Sequence, residues 1–424
     1  MSSLLQAATD RQTAGPVPST TVADVEGATL TLLAYCRADG WAGYDPYDAL
    51  NSPLFRTVPL LDYRWPRLVC TQLLKRSPVD CRRLLRIPKT QNPKAIALFL
   101  SAFIALERVN GESQQGDIDH MIERLRMLRS PGTNYWCWGY SFPWQGRTVL
   151  VPTGTPNLVC TFFVANSLFE AFDRGRDSQC LGMALSAAEY ILNELYWTEG
   201  DVAGFSYPLP FLRSQVHNAN LLAAALLCRA YRHTGDERFI LPALRVARYA
   251  VTKQQADGSW LYGEDGTDAW IDNFHTGYNL CALQSIARYA NTTEFDPAIR
   301  RGFEFYRSHF FQADGSVKYF HDRKYPIDVH CVAQSIITLV VLRDLDAGNL
   351  LLAHSVLRWA LAHLWDYRGF FYYRILRSCT NRISYMRWSQ AWMLLGMGMF
   401  LEAFKGQHSL QPAIDVLGGS MTHG

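Results

Sequence analysis

A short glycine-aromatic turn recurs through the second half of the chain as Gly204-Phe-Ser-Tyr207, Gly258-Ser-Trp-Leu-Tyr262, Gly315-Ser-Val-Lys-Tyr319 and Gly369-Phe-Phe-Tyr-Tyr373, with the glycines 54, 57 and 54 residues apart. Two copies extend to Gln255-Ala-Asp-Gly-Ser-Trp260 and Gln312-Ala-Asp-Gly-Ser-Val317. A period of this length marks one supersecondary unit that buries its apolar face only against neighbouring copies. The repeat therefore outweighs the length of 424 residues, which alone would suggest about three domains.

Each turn is followed by a small polar cluster and then an apolar run: His217-Asn218-Ala-Asn220, Asp272-Asn273-Phe-His275, Asp328-Val-His330 and Arg387-Trp-Ser389-Gln390. Thr155-Pro156-Asn157 before Leu158 is an earlier copy. Asn and Asp suit helix N-caps, and Pro suits a first turn. Two helices fit between one cluster and the next turn, such as 218–232 with 238–253 and 276–290 with 297–309. The first of each pair is apolar all round and reads as buried, whereas the second is amphipathic and reads as outer. Less regular hairpins are expected at 21–38 with 65–85 and at 93–109 with 118–129, and a last helix at 384–405. The expected fold is all-α, an (α/α)6-type toroid of helical hairpins over residues 21–406, with a sevenfold ring left open. Residues 1–20 are expected to form a disordered tail, and 407–424 a C-terminal tail.

Composition narrows the function. Charged residues are 19% and the net charge is +3, with no long run of one sign, so a nucleic-acid partner is not expected. Ten scattered cysteines without C-x-x-C spacing read as buried thiols in a reducing compartment. The start of the chain lacks a signal-peptide pattern and no 18-residue apolar stretch occurs, so a cytoplasmic protein without a membrane span is expected. Aromatics are 13%, and many fall in the loops rather than in the repeat turns.

In a closed ring the clusters of successive units surround one mouth. The expected sugar-contacting set is Tyr44, Asp45, Asp48, Trp138, Trp144, Arg147, Asn157, His217, Asn218, Trp270, Asn273, Tyr278, Arg387, Trp388 and Gln390. Aromatic faces stack on sugar rings, polar groups take the hydroxyls, and Arg takes a uronate or phosphate. Asp272, His275, Asp328, His330 and Tyr140 are the catalytic candidates, as acids, bases or proton carriers. A hydrolase would need two carboxylates across the cleft, whereas a lyase or epimerase would need a base and a group that stabilises enolate-like charge. Asp328, His330 and Cys331 lack a second ligand pair, so no metal and no cofactor are expected.

Gln255-Ala-Asp-Gly-Ser-Trp260 resembles the QW-type turn of terpenoid cyclase and prenyltransferase toroids, whose glutamine and tryptophan brace outer helices. The cyclases' Asp-x-Asp-Asp motif is absent. Gly43-Tyr-Asp-Pro-Tyr-Asp-Ala-Leu-Asn-Ser52, Trp138-Gly-Tyr-Ser-Phe-Pro-Trp-Gln145, Thr153-Gly-Thr-Pro-Asn157 and Asp272-Asn-Phe-His-Thr-Gly-Tyr278 resemble a helical-toroid family associated with exopolysaccharide and capsule biosynthesis. The toroid is also similar to the helical domains of glucuronyl C5-epimerases and of hairpin glycosidases and lyases. The exopolysaccharide-family resemblance implies an association with surface-polysaccharide assembly and the toroid likeness a fold; the aromatic mouth with Arg147 and Arg387 makes the expected protein a carbohydrate-active toroid that acts on or binds a glycan, as an enzyme of glycosidase, lyase or epimerase type. Its expected partner is a saccharide or a lipid-linked or nucleotide-linked sugar, within a polysaccharide-biosynthesis complex. The alternatives are a non-catalytic partner-binding toroid and a cyclase-like enzyme.

Overall fold

The structure, a computed structural model, describes residues 21–110, 114–146 and 149–418; the expected N-terminal tail at 1–20 lies outside them. Fourteen α-helices carry the fold: α1 Val22–Ala38, α2 Leu54–Thr57, α3 Arg64–Arg76, α4 Pro93–Asn110, α5 Gln115–Met127, α6 Leu158–Asp173, α7 Ser178–Tyr190, α8 His217–Thr234, α9 Glu237–Thr252, α10 Asn273–Ala290, α11 Asp296–Phe310, α12 Val329–Val341, α13 Asn349–His363 and α14 Ala391–Gly418. The even-numbered helices from α4 to α14 touch in sequence, and α14 returns to α4. They form a closed inner ring of six. The outer helices α5, α7, α9, α11 and α13 each pack on the preceding inner helix, and α1 packs on α14. This connectivity is an (α/α)6 toroid and settles the ring order at six.

The burial pattern follows the sequence. In α8 every residue from His217 to Ala230 is buried. Its partner α9 buries Phe239, Ala243, Val246, Ala247 and Ala250, a single stripe at helical spacing. Truncating a fully buried side chain such as Leu227 would cost about 2–5 kcal/mol through lost transfer energy and the cavity left behind.

The repeated turn locks one unit to the next. Gly258, Gly315 and Gly369 sit at φ +92, +89 and +91, where a side chain is strained. A Cβ on them would stand 2.3 Å from the Arg301 carbonyl oxygen in α11, 2.6 Å from that of Ser355 in α13, and 2.8 Å from Thr31 Cγ2 in α1. Each turn thus seats against the next outer helix, and the last closes the circle on α1. Trp260 braces its turn by donating from Nε1 to the Ala250 carbonyl at 3.0 Å.

Three boundaries differ from the expected ones. The helix expected over 65–85 stops at Arg76, because Ser77 precedes Pro78 and is extended at ψ 129. The helix expected from Ser384 starts with a π-turn over Met386–Gln390 after the extended Tyr385. Its continuation α14 runs to Gly418, past the expected boundary at 406. Residues 39–92 pack as an irregular insertion containing α2 and α3 over one side of the mouth.

Candidate active site at the ring mouth

The inner helices all present their first turn to the same end of the ring, so one helix position becomes one layer of the mouth. Asn92 Oδ1 accepts from Lys94 N at 3.0 Å, which makes Lys94 the second residue of α4. The same position is Val159 in α6, Asn218 in α8, Phe274 in α10, His330 in α12 and, counted from the π-turn, Arg387 before α14. Phe274 and His330 stack across adjacent helices with ring centres 4.7 Å apart. About one turn deeper, Phe163, Tyr278 and Trp392 close the floor, with Lys94 Nζ 4.2, 5.6 and 5.1 Å from their ring centres.

Among the catalytic candidates, Asp272 and His275 form a dyad. Asp272 caps α10 by accepting from His275 N at 3.0 Å. Its other oxygen lies 2.7 Å from His275 Nδ1 and accepts from Trp270 Nε1 at 2.9 Å. With Nδ1 bearing the proton toward the carboxylate, Nε2 is left as an acceptor, the arrangement that suits a general base. The His275 side chain is 20% exposed. Tyr262, stacked on Trp270 at 4.4 Å, lies 4.6 Å from the imidazole between ring centres.

Asp328 is different. It caps α12 through His330 N at 3.0 Å and accepts from Trp388 Nε1 at 3.0 Å. Its second oxygen takes Arg374 Nη2 at 2.6 Å and Nε at 3.1 Å. The side chain is fully buried, so an acid or base role for Asp328 gives way to a structural ion pair. His330 Nε2 lies 2.7 Å from Tyr278 OH, and Nδ1 is buried without a hydrogen bond. Burial, aided by Lys94 and Arg387, holds His330 well below the ordinary imidazole range, so it is neutral. Burial pushes the Tyr140 and Tyr278 hydroxyls up, and they too stay protonated.

Of the expected binding residues, Arg387 reaches the mouth, but its guanidinium is held by Asp45 at 2.6 and 2.8 Å. Tyr140 lies under that guanidinium, 5.1 Å from ring centre to Cζ. Trp388 lies 4.5 Å from His330 between ring centres. A small open pocket lies beside Trp41, Tyr44, Asp45, Phe142 and Arg387. His217 and Asn218 are buried at the start of α8, where His217 Nδ1 and Asn218 Oδ1 make no hydrogen bond. Burial depresses His217 to about 4.

Several expected contacts are instead structural. Asp48 is tied to Arg82 at 2.8 Å, and both are buried. Trp138 is fully buried and donates to the Leu125 carbonyl at 2.8 Å. Trp144 lies in a two-residue strand paired with Val151. Asn157 caps α6 through Cys160 N at 3.2 Å. Asn273 joins Ser335 at 3.1 Å and Tyr306 at 2.9 Å, tying three helices together. Gln390 bonds both backbone groups of Phe371 at 2.9 and 2.8 Å. Arg147 lies outside the described residues.

Sequence reasoning missed Lys94. Its side chain is 3% exposed amid aromatic rings, and burial with the nearby Arg387 charge pulls its amine well below the ordinary lysine range. The signal available was Asn92-Pro93-Lys94, an N-cap and first-turn proline followed by a lysine before an apolar helix.

No family model matches the chain, and no curated protein matches it in sequence. Solved structures match its fold. The cellobiose 2-epimerase of Bacillus thermoamylovorans B4167 superposes with TM-score 0.62 at 12% identity, over 91% of this chain and 99% of that one. The GH76 alpha-mannanase of Bacteroides thetaiotaomicron gives 0.60 at 11% identity, over 77% and 90%. An unsaturated glucuronyl hydrolase specific for heparin gives 0.58 at 11% identity, over 91% and 97%. At such identities the likeness is one of fold, and it is to the (α/α) toroids of carbohydrate-active enzymes. No helix among the described residues is long and apolar enough to cross a membrane.

Proposed function

We propose that this chain is a carbohydrate-active toroid that binds a sugar at the mouth and moves a proton on it, in the manner of an epimerase or isomerase. The observation that carries this reading is the Asp272–His275 dyad, with its partly exposed imidazole, at the rim of a layer whose other carboxylates are spent. Asp45, Asp48 and Asp328 are each neutralised by an arginine, which leaves the mouth without a free carboxylate pair for glycoside hydrolysis among the described residues. His275 would take the proton next to the sugar carbonyl. Neutral His330, bonded to Tyr278, would supply the second proton-bearing pair, and the N–H groups of Lys94 and Arg387 would donate hydrogen bonds to the carbonyl oxygen. Solved toroids of this fold include a cellobiose 2-epimerase and a D-mannose isomerase, which is consistent with that chemistry. The resemblance of Gly43–Ser52 and Asp272–Tyr278 to exopolysaccharide-associated toroids supports a substrate among sugars or sugar precursors of a surface polysaccharide.

The test is deuterium wash-in. Reducing mono- and disaccharides, including uronates, are incubated with the protein in D2O and followed by proton NMR at the carbon next to the carbonyl. Exchange that His275→Asn abolishes supports the reading; exchange unchanged in that variant, or its absence for every sugar, overturns it. Binding without exchange points to a second reading, a non-catalytic sugar-binding toroid.

A further inference from the structure

Fifteen large hydrophobic side chains are exposed among the described residues, and nine fall between positions 54 and 84: Leu54, Val58, Leu60, Tyr63, Trp65, Val69, Leu73, Val79 and Leu84. Exposure scattered singly over a surface needs no explanation, but a concentration like this one does. Leu60, Trp65 and Leu84 are 72%, 70% and 83% exposed. Trp65, Val69 and Leu73 recur every four residues and so line one outward face of α3, whose only buried residue is Thr71. The same stretch exposes Arg56, Arg64, Arg76, Arg83 and Arg86 against only Asp62 and Asp80.

We propose that this insertion docks the protein on an anionic lipid surface. Apolar side chains with Trp and Tyr among them, rimmed by arginines, are what an interfacial helix presents to the boundary between acyl chains and headgroups. Charge selects this occupant over a second copy of the chain. A twofold contact would set the arginines of one copy against those of the other, whereas acidic headgroups neutralise them. The patch adjoins the mouth: Lys75, in α3, donates from Nζ to Tyr47 OH, and the Tyr47 ring centre lies 5.5 Å from that of Trp388. A docked bilayer would therefore lie beside the rim of the ring. The docking argument uses only surface residues and is independent of the chemistry proposed for the mouth.

The test is flotation of the full chain with phosphatidylcholine vesicles, with and without about one-third phosphatidylglycerol. Binding is expected to the anionic vesicles alone and to weaken at high salt, as screening requires. Trp65→Glu with Leu73→Glu should reduce it at least tenfold with an unchanged melting temperature. Leu241→Glu with Leu351→Glu, also at exposed positions, should bind as wild type does. No flotation with anionic vesicles overturns the proposal, whether the chain is monomeric or forms a dimer that the Trp65/Leu73 variant disperses. Equal binding by both double variants overturns it as well. Because the wash-in assay contains no vesicles, failure here leaves its result untouched.

Discussion

Two neighbouring units of the ring each begin an inner helix with an aspartate followed closely by a histidine, yet the pairs do different things. In α10 the histidine is the third residue after the aspartate; in α12 it is the second. Both aspartates cap their helices, but one position is about 100° of helix rotation. At the third position His275 folds back to the carboxylate that caps it, at 2.7 Å. At the second position His330 instead joins the layer of Phe274, Lys94 and Arg387, and the free oxygen of Asp328 is taken by Arg374. Aligned by helix position, His275 corresponds to Cys331 and His330 to Phe274. A motif that looks repeated in sequence has thus produced an aspartate–histidine dyad in one unit and, in the next, an aspartate held by an arginine beside a buried neutral imidazole.

The largest expected effect separates the two by activity. His275→Asn should lower deuterium exchange by about 10²- to 10⁴-fold, the usual contribution of a general base, while the melting temperature stays near wild type. A parallel loss of stability would break the comparison by making the Asp272–His275 pair a structural one like Asp328–Arg374. The next effect separates them by stability. Asp328→Ala leaves Arg374, whose side chain is only 11% exposed, without its partner, and breaking such a pair costs about 3–5 kcal/mol. Asp272→Ala loses a cap, worth about 0.5–2 kcal/mol, with the exchange activity lost alongside. Denaturant unfolding of the two variants measures both figures, and equal destabilisation would contradict the division.

These differences also mark where the sequence was legible. The period, the inner and outer helices and the gathering of the clusters at one mouth could all be read, because burial and turn chemistry repeat with the unit. The ring order could not, since it depends on α1 serving as the outer partner of α14 from the opposite end of the chain. At the mouth, the gathering of Asp272, His275, His330, Tyr278 and Arg387 follows from the repeat. What could not be read was which carboxylates are spent, because Arg82, Arg374 and Arg387 reach aspartates 34, 46 and 342 positions away. Lys94 escaped because it lies in the less regular half, before any repeated turn.

A third histidine at an inner-helix start gives the most specific test. His217 opens α8, but Val216 occupies the cap position, so no carboxylate precedes it. Without that partner burial dominates; Glu264 raises its affinity for a proton only partly and Lys253 lowers it, leaving it at about 4. The sign follows from linkage. Above the unfolded value near 6.5 both states are neutral and the full stability is present. Below it the unfolded chain binds a proton that the folded chain refuses, so stability falls until the pH reaches the folded value. The loss attributable to His217 between about pH 6.5 and 4 is roughly 3 kcal/mol. His330 contributes in the same direction, so the measurement is the difference between wild type and His217→Gln, from urea unfolding at several pH values. The variant should show the shallower fall toward low pH. If the two curves run parallel, His217 has found a partner despite Val216, and the lack of a carboxylate at the cap position is not what leaves its imidazole unpaired.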